Sequence, residues 1–144
     1  MMADRPLFLD TGFVIALLDQ TDVYHAPALA WARRLERERR PLVTTTSVLI
    51  ELGDAFGPRG SWARYQAFVE ALLQDPRATV VEVDRGLFDR ACALRAQRAD
   101  KRWGLTDCLS FVVMADHDLR AALACDRHFV QAGFRALLLE ADDP

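Results

Sequence analysis

Short apolar blocks alternate along the chain with longer stretches in which apolar residues recur every three or four positions. Leu7-Phe8-Leu9 is an unbroken apolar triplet closed by Asp10-Thr11-Gly12, which reads as a short strand buried on both faces. Residues 13–18 are apolar again and predict a helix, and residues 19–22 a polar turn. Residues 24–40 predict a long amphipathic helix with Leu29, Ala32 and Leu35 on one side, stopped by Pro41. Leu42-Val43-Thr44 is a second strand, and the hydroxyls of Thr45-Thr46-Ser47 cap a helix over residues 48–56. A Gly-Pro-Arg-Gly loop at residues 57–60 leads to a helix over 61–74, ended by Asp75-Pro76. The β-branched run at 79–83 is a third strand, followed by a helix over 84–98 carrying Leu87, Ala91 and Leu94. After a loop at 100–104, Thr106 opens a helix whose body, residues 108–115, is apolar nearly all round and therefore buried. Residues 121–125 and 136–139 complete the set as fourth and fifth strands.

Strands in alternation with helices predict an α/β fold, a mostly parallel sheet of about five strands with helices on both faces. At 144 residues the chain is read as one domain, 1–144, with no internal repeat or linker. No apolar run approaches the ~20 residues that cross a bilayer, and the N-terminus lacks signal-peptide organisation, so a cytoplasmic protein is expected. Cys92, Cys108 and Cys125 are odd in number and set in apolar surroundings, as small core residues are. Cys125-Asp126-Arg127-His128 has a spacing that zinc uses, but no second close pair accompanies it.

A net charge of −3 is not that of a typical nucleic-acid binder. Arg33, Arg34, Arg37, Arg39 and Arg40 crowd one stretch, interspersed with Glu36 and Glu38, while Glu140, Asp142 and Asp143 make the tail acidic. The arginines read first as a solvated helix end with intrahelical ion pairs, and second as an edge that tracks phosphates.

Four carboxylates stand where a merely solvated acid would be unusual. Asp10 follows the first strand and Asp126 the fourth, and in a parallel sheet both ends lie on one edge, where α/β proteins bind ligands. Were those strands neighbours, ~4.8 Å apart, one cation would bridge the two acids. Asp107 starts the buried helix. On the helix over 48–56, at about 100° per residue, Glu51 falls at the margin of the apolar face and Asp54 points to solvent. Each acid also has a structural reading, as a helix cap or first-turn charge. Together, converging carboxylates raise one another's pKa unless a cation intervenes. Oxygen ligands favour Mg²⁺ or Mn²⁺, and such a site suits phosphodiester hydrolysis.

These residues resemble the PIN-domain family, and within it the small VapC-type toxin ribonucleases. Leu9-Asp10-Thr11 resembles the family's opening motif, and Asp22 with His25 and Ala28 the start of its second helix. Glu51 falls on its helix-borne glutamate, Gly104-Leu105-Thr106-Asp107 on the segment introducing its third acid, and Asp126 with Phe129 on its closing Asp-x-x-Phe motif. The resemblance implies a five-stranded parallel sheet, an acidic Mg²⁺ or Mn²⁺ site formed by Asp10, Glu51, Asp107 and Asp126, RNA cleavage, commonly a homodimer, and an antitoxin that covers the site. Gly12 stands where a small hydroxyl residue often follows Asp-Thr, and Ala124 where a threonine often precedes the last acid. Both departures reduce hydrogen bonding near the metal without removing a ligand. Thr11, Thr106 and Ser110 are candidate supports for a carboxylate or bound water, although a helical serine often bonds its own backbone. Lys101, Arg102 and Trp103 precede Asp107 and are candidate RNA contacts, the tryptophan by stacking on a base.

Other chemistries fit less well. A haloacid-dehalogenase-like phosphotransferase needs Asp-x-Asp, and Gly12 occupies its third position. A response-regulator receiver has its acid at Asp84 after the third strand, but Glu140 and no lysine follows the fifth. Walker, dinucleotide-binding and nucleophile-elbow motifs are absent. The serious alternative is a catalytically silent PIN fold serving as an RNA-binding or assembly module.

Overall fold

The computed structural model describes residues 5–56 and 61–140. The loop expected at 57–60, the N-terminal residues 1–4 and the tail acids Asp142 and Asp143 lie outside the described residues. The elements run β1 (Leu7–Leu9), α1 (Thr11–Leu18), α2 (His25–Glu38), β2 (Leu42–Thr45), α3 (Thr46–Phe56), α4 (Trp62–Gln74) and β3 (Ala78–Val81). They continue with α5 (Arg85–Gln97), α6 (Leu105–Asp116), β4 (Ala121–Leu123), α7 (Arg127–Gln131) and β5 (Arg135–Ala136), and a 3-10 turn spans Leu137–Leu139. The five strands form one parallel sheet in the order β3-β2-β1-β4-β5.

Alternation along β1 sorts the core into two layers. Leu7 and Leu9 face a cluster with Phe13, Val14, Trp31, Leu52 and Leu72, which belongs to α1, α2, α3 and α4. Phe8 faces the opposite way, toward Leu87, Leu109, Val113, Met114 and Phe129 of α5, α6 and α7. Helix α6 is buried from Cys108 through Met114, as its unbroken apolar body requires. No helix among the described residues is long and apolar enough to cross a membrane.

Three expectations need correction at the C-terminal ends of strands. β4 stops at Leu123, two residues before its expected end, and β3 stops at Val81. The fifth strand is shorter than the apolar run that predicts it. Leu137–Leu139 leaves the ladder as a 3-10 turn, and the Leu138 N–H donates instead to the Ala124 carbonyl at 3.1 Å. All three leucines keep the hydrophobic environment that their composition demands, so periodicity cannot distinguish the two conformations.

The arginine-rich end of α2 lies away from the acids. Arg40 Nε donates to the Arg5 carbonyl at 2.8 Å, just before β1, whereas Asp10 follows that strand. Arg34 pairs with Glu38 at 2.7 Å one turn along, and Arg77 reaches Glu36 at 3.3 Å. The ion-paired helix end is what forms, at the edge opposite the candidate site.

Candidate active site

Asp10 is placed by β1, whose neighbour on one side is β4. Leu9 is in register with Leu123, and the Asp10 N–H donates to the Leu123 carbonyl at 3.2 Å. The adjacency that would bring Asp10 toward Asp126 is therefore present. Asp126 is not the last residue of a strand; it is the N-cap of α7, and its Oδ1 accepts the His128 N–H at 2.9 Å. What holds that short helix is Phe129, fully buried and edge-on to Phe111 at 5.1 Å, with Phe8 at 6.3 Å. The physical basis of the Asp-x-x-Phe spacing is an aromatic anchor one turn beyond an acid at the helix mouth.

Asp107 lies in the first turn of α6, where the helix dipole favours an acid, and its Oδ2 accepts the Gly104 N–H at 3.0 Å. Glu51 projects from α3 and accepts a 2.5 Å hydrogen bond from the Thr11 hydroxyl across the start of α1. That bond joins two elements forty residues apart and orients the carboxylate. Asp10 sits among the other three acids. Burial pushes its carboxyl up to about 7, and the nearby charges of Glu51, Asp107 and Asp126 push in the same direction against the Thr11 N–H.

One participant escaped the sequence reading. His128 Nδ1 lies 2.9 Å from Asp107 Oδ2 and 3.4 Å from Asp126 Oδ1, so the imidazole N–H donates to Asp107 and bridges toward Asp126. Asp107, Asp126 and His128 bring one ligand atom each within 4.8 Å of one another. The signal was its place between an acid and the Phe129 anchor, but His128 drew attention only through the Cys-x-x-His spacing. Cys125 takes no part in that group. Its thiol is pushed up to about 11 by burial and by the charges of Asp10, Asp22 and Asp126, which keeps it protonated.

Cys125 also explains Gly12. A Cβ at position 12 would stand 2.9 Å from the Cys125 Sγ, so the space of the usual small hydroxyl side chain is filled by sulfur. Gly12→Ala is expected to lose about 1–2 kcal/mol to this contact, partly offset by helix propensity. Cys125→Ala in the same chain should recover the loss, as a double-mutant cycle in urea denaturation would show. Ala124 is wholly buried in the core, with its carbonyl engaged by Leu138.

The supporting candidates divide. Ser110 is buried and its hydroxyl donates to the Thr106 carbonyl at 3.1 Å, a bond to its own helix. Thr106 lines a cleft shared with Glu51. Asp22 accepts the Tyr24 N–H at 2.8 Å, His25 Nδ1 bonds the Ala16 carbonyl at 2.8 Å and Ala28 is buried, so this motif docks α2 onto α1. Trp103 is a correction. It is 3% exposed, edge-on to Phe111 at 5.1 Å, and its Nε1 donates to Gln131 at 3.0 Å. With Arg98 over the ring as well, no face is left on which a base could stack. Lys101 is half-buried and Arg102 exposed on the same loop.

Comparison with known proteins identifies the family and the fold. The sequence model of the PIN domain matches residues 7–135, from β1 into β5. The chain belongs to the PIN-domain family. Among solved structures, this PIN domain is similar to VapC20 of Mycobacterium tuberculosis, described as a toxin that cleaves the sarcin-ricin loop. The two superpose with a TM-score of 0.78 at 27% sequence identity, over 90% of this chain and 97% of that one. No curated protein sequence matches the chain.

The PIN-domain acids fit a hard divalent cation. No lysine or arginine among the described residues pairs with Asp10, Glu51, Asp107 or Asp126, and burial, reinforced by the charges of the other three acids, raises the Asp10 carboxyl.

Proposed function

We propose that this PIN domain is a divalent-cation-dependent ribonuclease and the toxin of a toxin–antitoxin pair. The observation that supports the reading is that Asp107 and Asp126 bring carboxylate oxygens within 4.8 Å of each other and of His128, with Asp10 near enough to feel the charges of Glu51, Asp107 and Asp126 and no lysine or arginine among the described residues paired with any of the four. Asp10, Glu51, Asp107 and Asp126 would hold the ion, Mg²⁺ or Mn²⁺. When bound, the cation polarises a phosphoryl oxygen and lowers the pKa of a water. The protein's own part is orientation: Thr11 fixes Glu51, while Gly104 and His128 fix Asp107.

The sarcin-ricin loop cleavage by which VapC20 is described makes a structured stem-loop of that kind the first substrate to try. A partner antitoxin covering the acids, assembly as a homodimer and a cytoplasmic location, where such an RNA is met, belong to the same reading.

The test is cleavage of a panel of structured RNAs by purified protein, with Mn²⁺ or Mg²⁺ and with EDTA. Wild type is expected to cut only with metal, and Glu51→Gln to lose at least about 100-fold in rate. Absence of cutting by folded wild type shown free of inhibitor would favour the silent binding module instead.

A further inference from the structure

Beside the acid cluster lies a cleft of about 410 Å³ between α3, the end of β3 and the start of α6. Glu51 belongs to both: it accepts the Thr11 hydroxyl on the acid side and forms a wall of the cleft on the other. Whatever fills the cleft is therefore adjacent to the group held by the acids.

The lining states what that occupant must be. Ile50 and Val83 supply apolar walls, and Ile50 is left 65% exposed. Thr46 and Thr106 supply hydroxyls; Thr46 Oγ1 accepts the Val83 N–H at 3.1 Å, which leaves its own hydrogen to donate. The charged groups are Glu51 and Asp54, with no lysine or arginine among the described lining residues. Asp54 makes no hydrogen bond or ion pair with a described residue. Such a cleft repels phosphate and suits an uncharged, flat ring carrying N–H donors.

We propose that this cleft receives the nucleobase adjoining the scissile phosphate, and that Asp54 reads its Watson–Crick edge, selecting guanine over uracil. The proposal rests on the ribonuclease reading. A carboxylate accepts two neighbouring N–H groups from the N1/N2 edge of guanine, whereas the single N–H of uracil is flanked by two carbonyls that repel an anion. Bases are available for this kind of reading only where RNA is single-stranded or unstacked, so the substrate is a loop or bulge and not a continuous helix.

The experiment is NMR titration of the ¹⁵N-labelled protein in Mg²⁺ with 3′-GMP or 3′-UMP, alongside cleavage of oligoribonucleotides that differ only at the base flanking the cut. The guanine nucleotide should bind about tenfold tighter or more, shift the amides of Ile50, Asp54 and Val83, and lose its advantage in Asp54→Asn. Equal binding of the two nucleotides, shifts confined to other surfaces, or an unchanged preference in Asp54→Asn would overturn the assignment. RNA cutting without guanine preference removes this proposal and leaves the nuclease standing. Guanine-selective binding without cleavage of any RNA keeps the base site and removes the nuclease.

Discussion

Asp10→Asn is expected to abolish metal-dependent RNA cleavage and, in the same molecule, to stabilise the metal-free protein above neutral pH. The first effect follows from its place on the cluster, where removal of a ligand charge should cost at least about 100-fold in rate. The second follows from its carboxyl being raised from 3.8 to about 7 by burial and three neighbouring acids. The folded protein keeps a proton on Asp10 that the unfolded chain releases between those two values. Stability contributed through this group is thus retained at low pH and lost as pH rises through the window, to a limit of about 4 kcal/mol above pH 7. Asparagine carries no charge at any pH and escapes the penalty. In EDTA at pH 8 the variant should melt several degrees above wild type, and the gap should close toward pH 4. Added Mg²⁺ or Mn²⁺ should raise the wild-type melting temperature and leave the variant nearly unmoved, by mass action on the ion-binding state. A variant as pH-dependent as wild type would show that Asp10 is not the strained acid.

The second large effect concerns Trp103. Its burial against Phe111 and its bond to Gln131 make it a core residue that happens to follow two basic ones. Trp103→Ala is expected to lose about 3–5 kcal/mol, a large share of the stability of a domain this size. Urea denaturation would measure it. Trp103→Phe should retain part of the packing and leave RNA affinity unchanged. A base-stacking role would reverse the pattern, weakening RNA binding with little change in stability. Trp103 also touches the machinery indirectly, since Phe111 links it to Phe129, the anchor of the helix that presents Asp126.

The stability cost at Asp10 and the anchoring around Phe129 are two sides of one arrangement. Acids that repel one another stay together only if the elements bearing them are held by something else. Here the Phe8, Phe111 and Phe129 contacts, the Thr11–Glu51 bond and the His128 bridge supply that restraint.

Much of this was legible from local pattern. An apolar triplet followed by Asp10, an amphipathic helix that leaves Glu51 at its margin, and an apolar helix with Asp107 at its mouth each declare themselves within a window of a dozen residues. Helical and extended periodicities are local consequences of backbone geometry, so they can be read without knowing what packs against them. The pairing of β1 with β4, the reach of Thr11 to Glu51 and of His128 to Asp107, and the burial of Trp103 depend on residues far apart in the chain. The same limit hid the 3-10 turn at Leu137–Leu139, where burial alone did not choose between strand and turn until Ala124 offered its carbonyl. Asp54, exposed as its helical angle requires, becomes a wall of a cleft only because β3 and α6 close the other sides. Residue spacing told which acids sit at the ends of elements; only the packing of those elements decided what each acid touches, because contact free energy is settled between surfaces that the chain brings together from a distance.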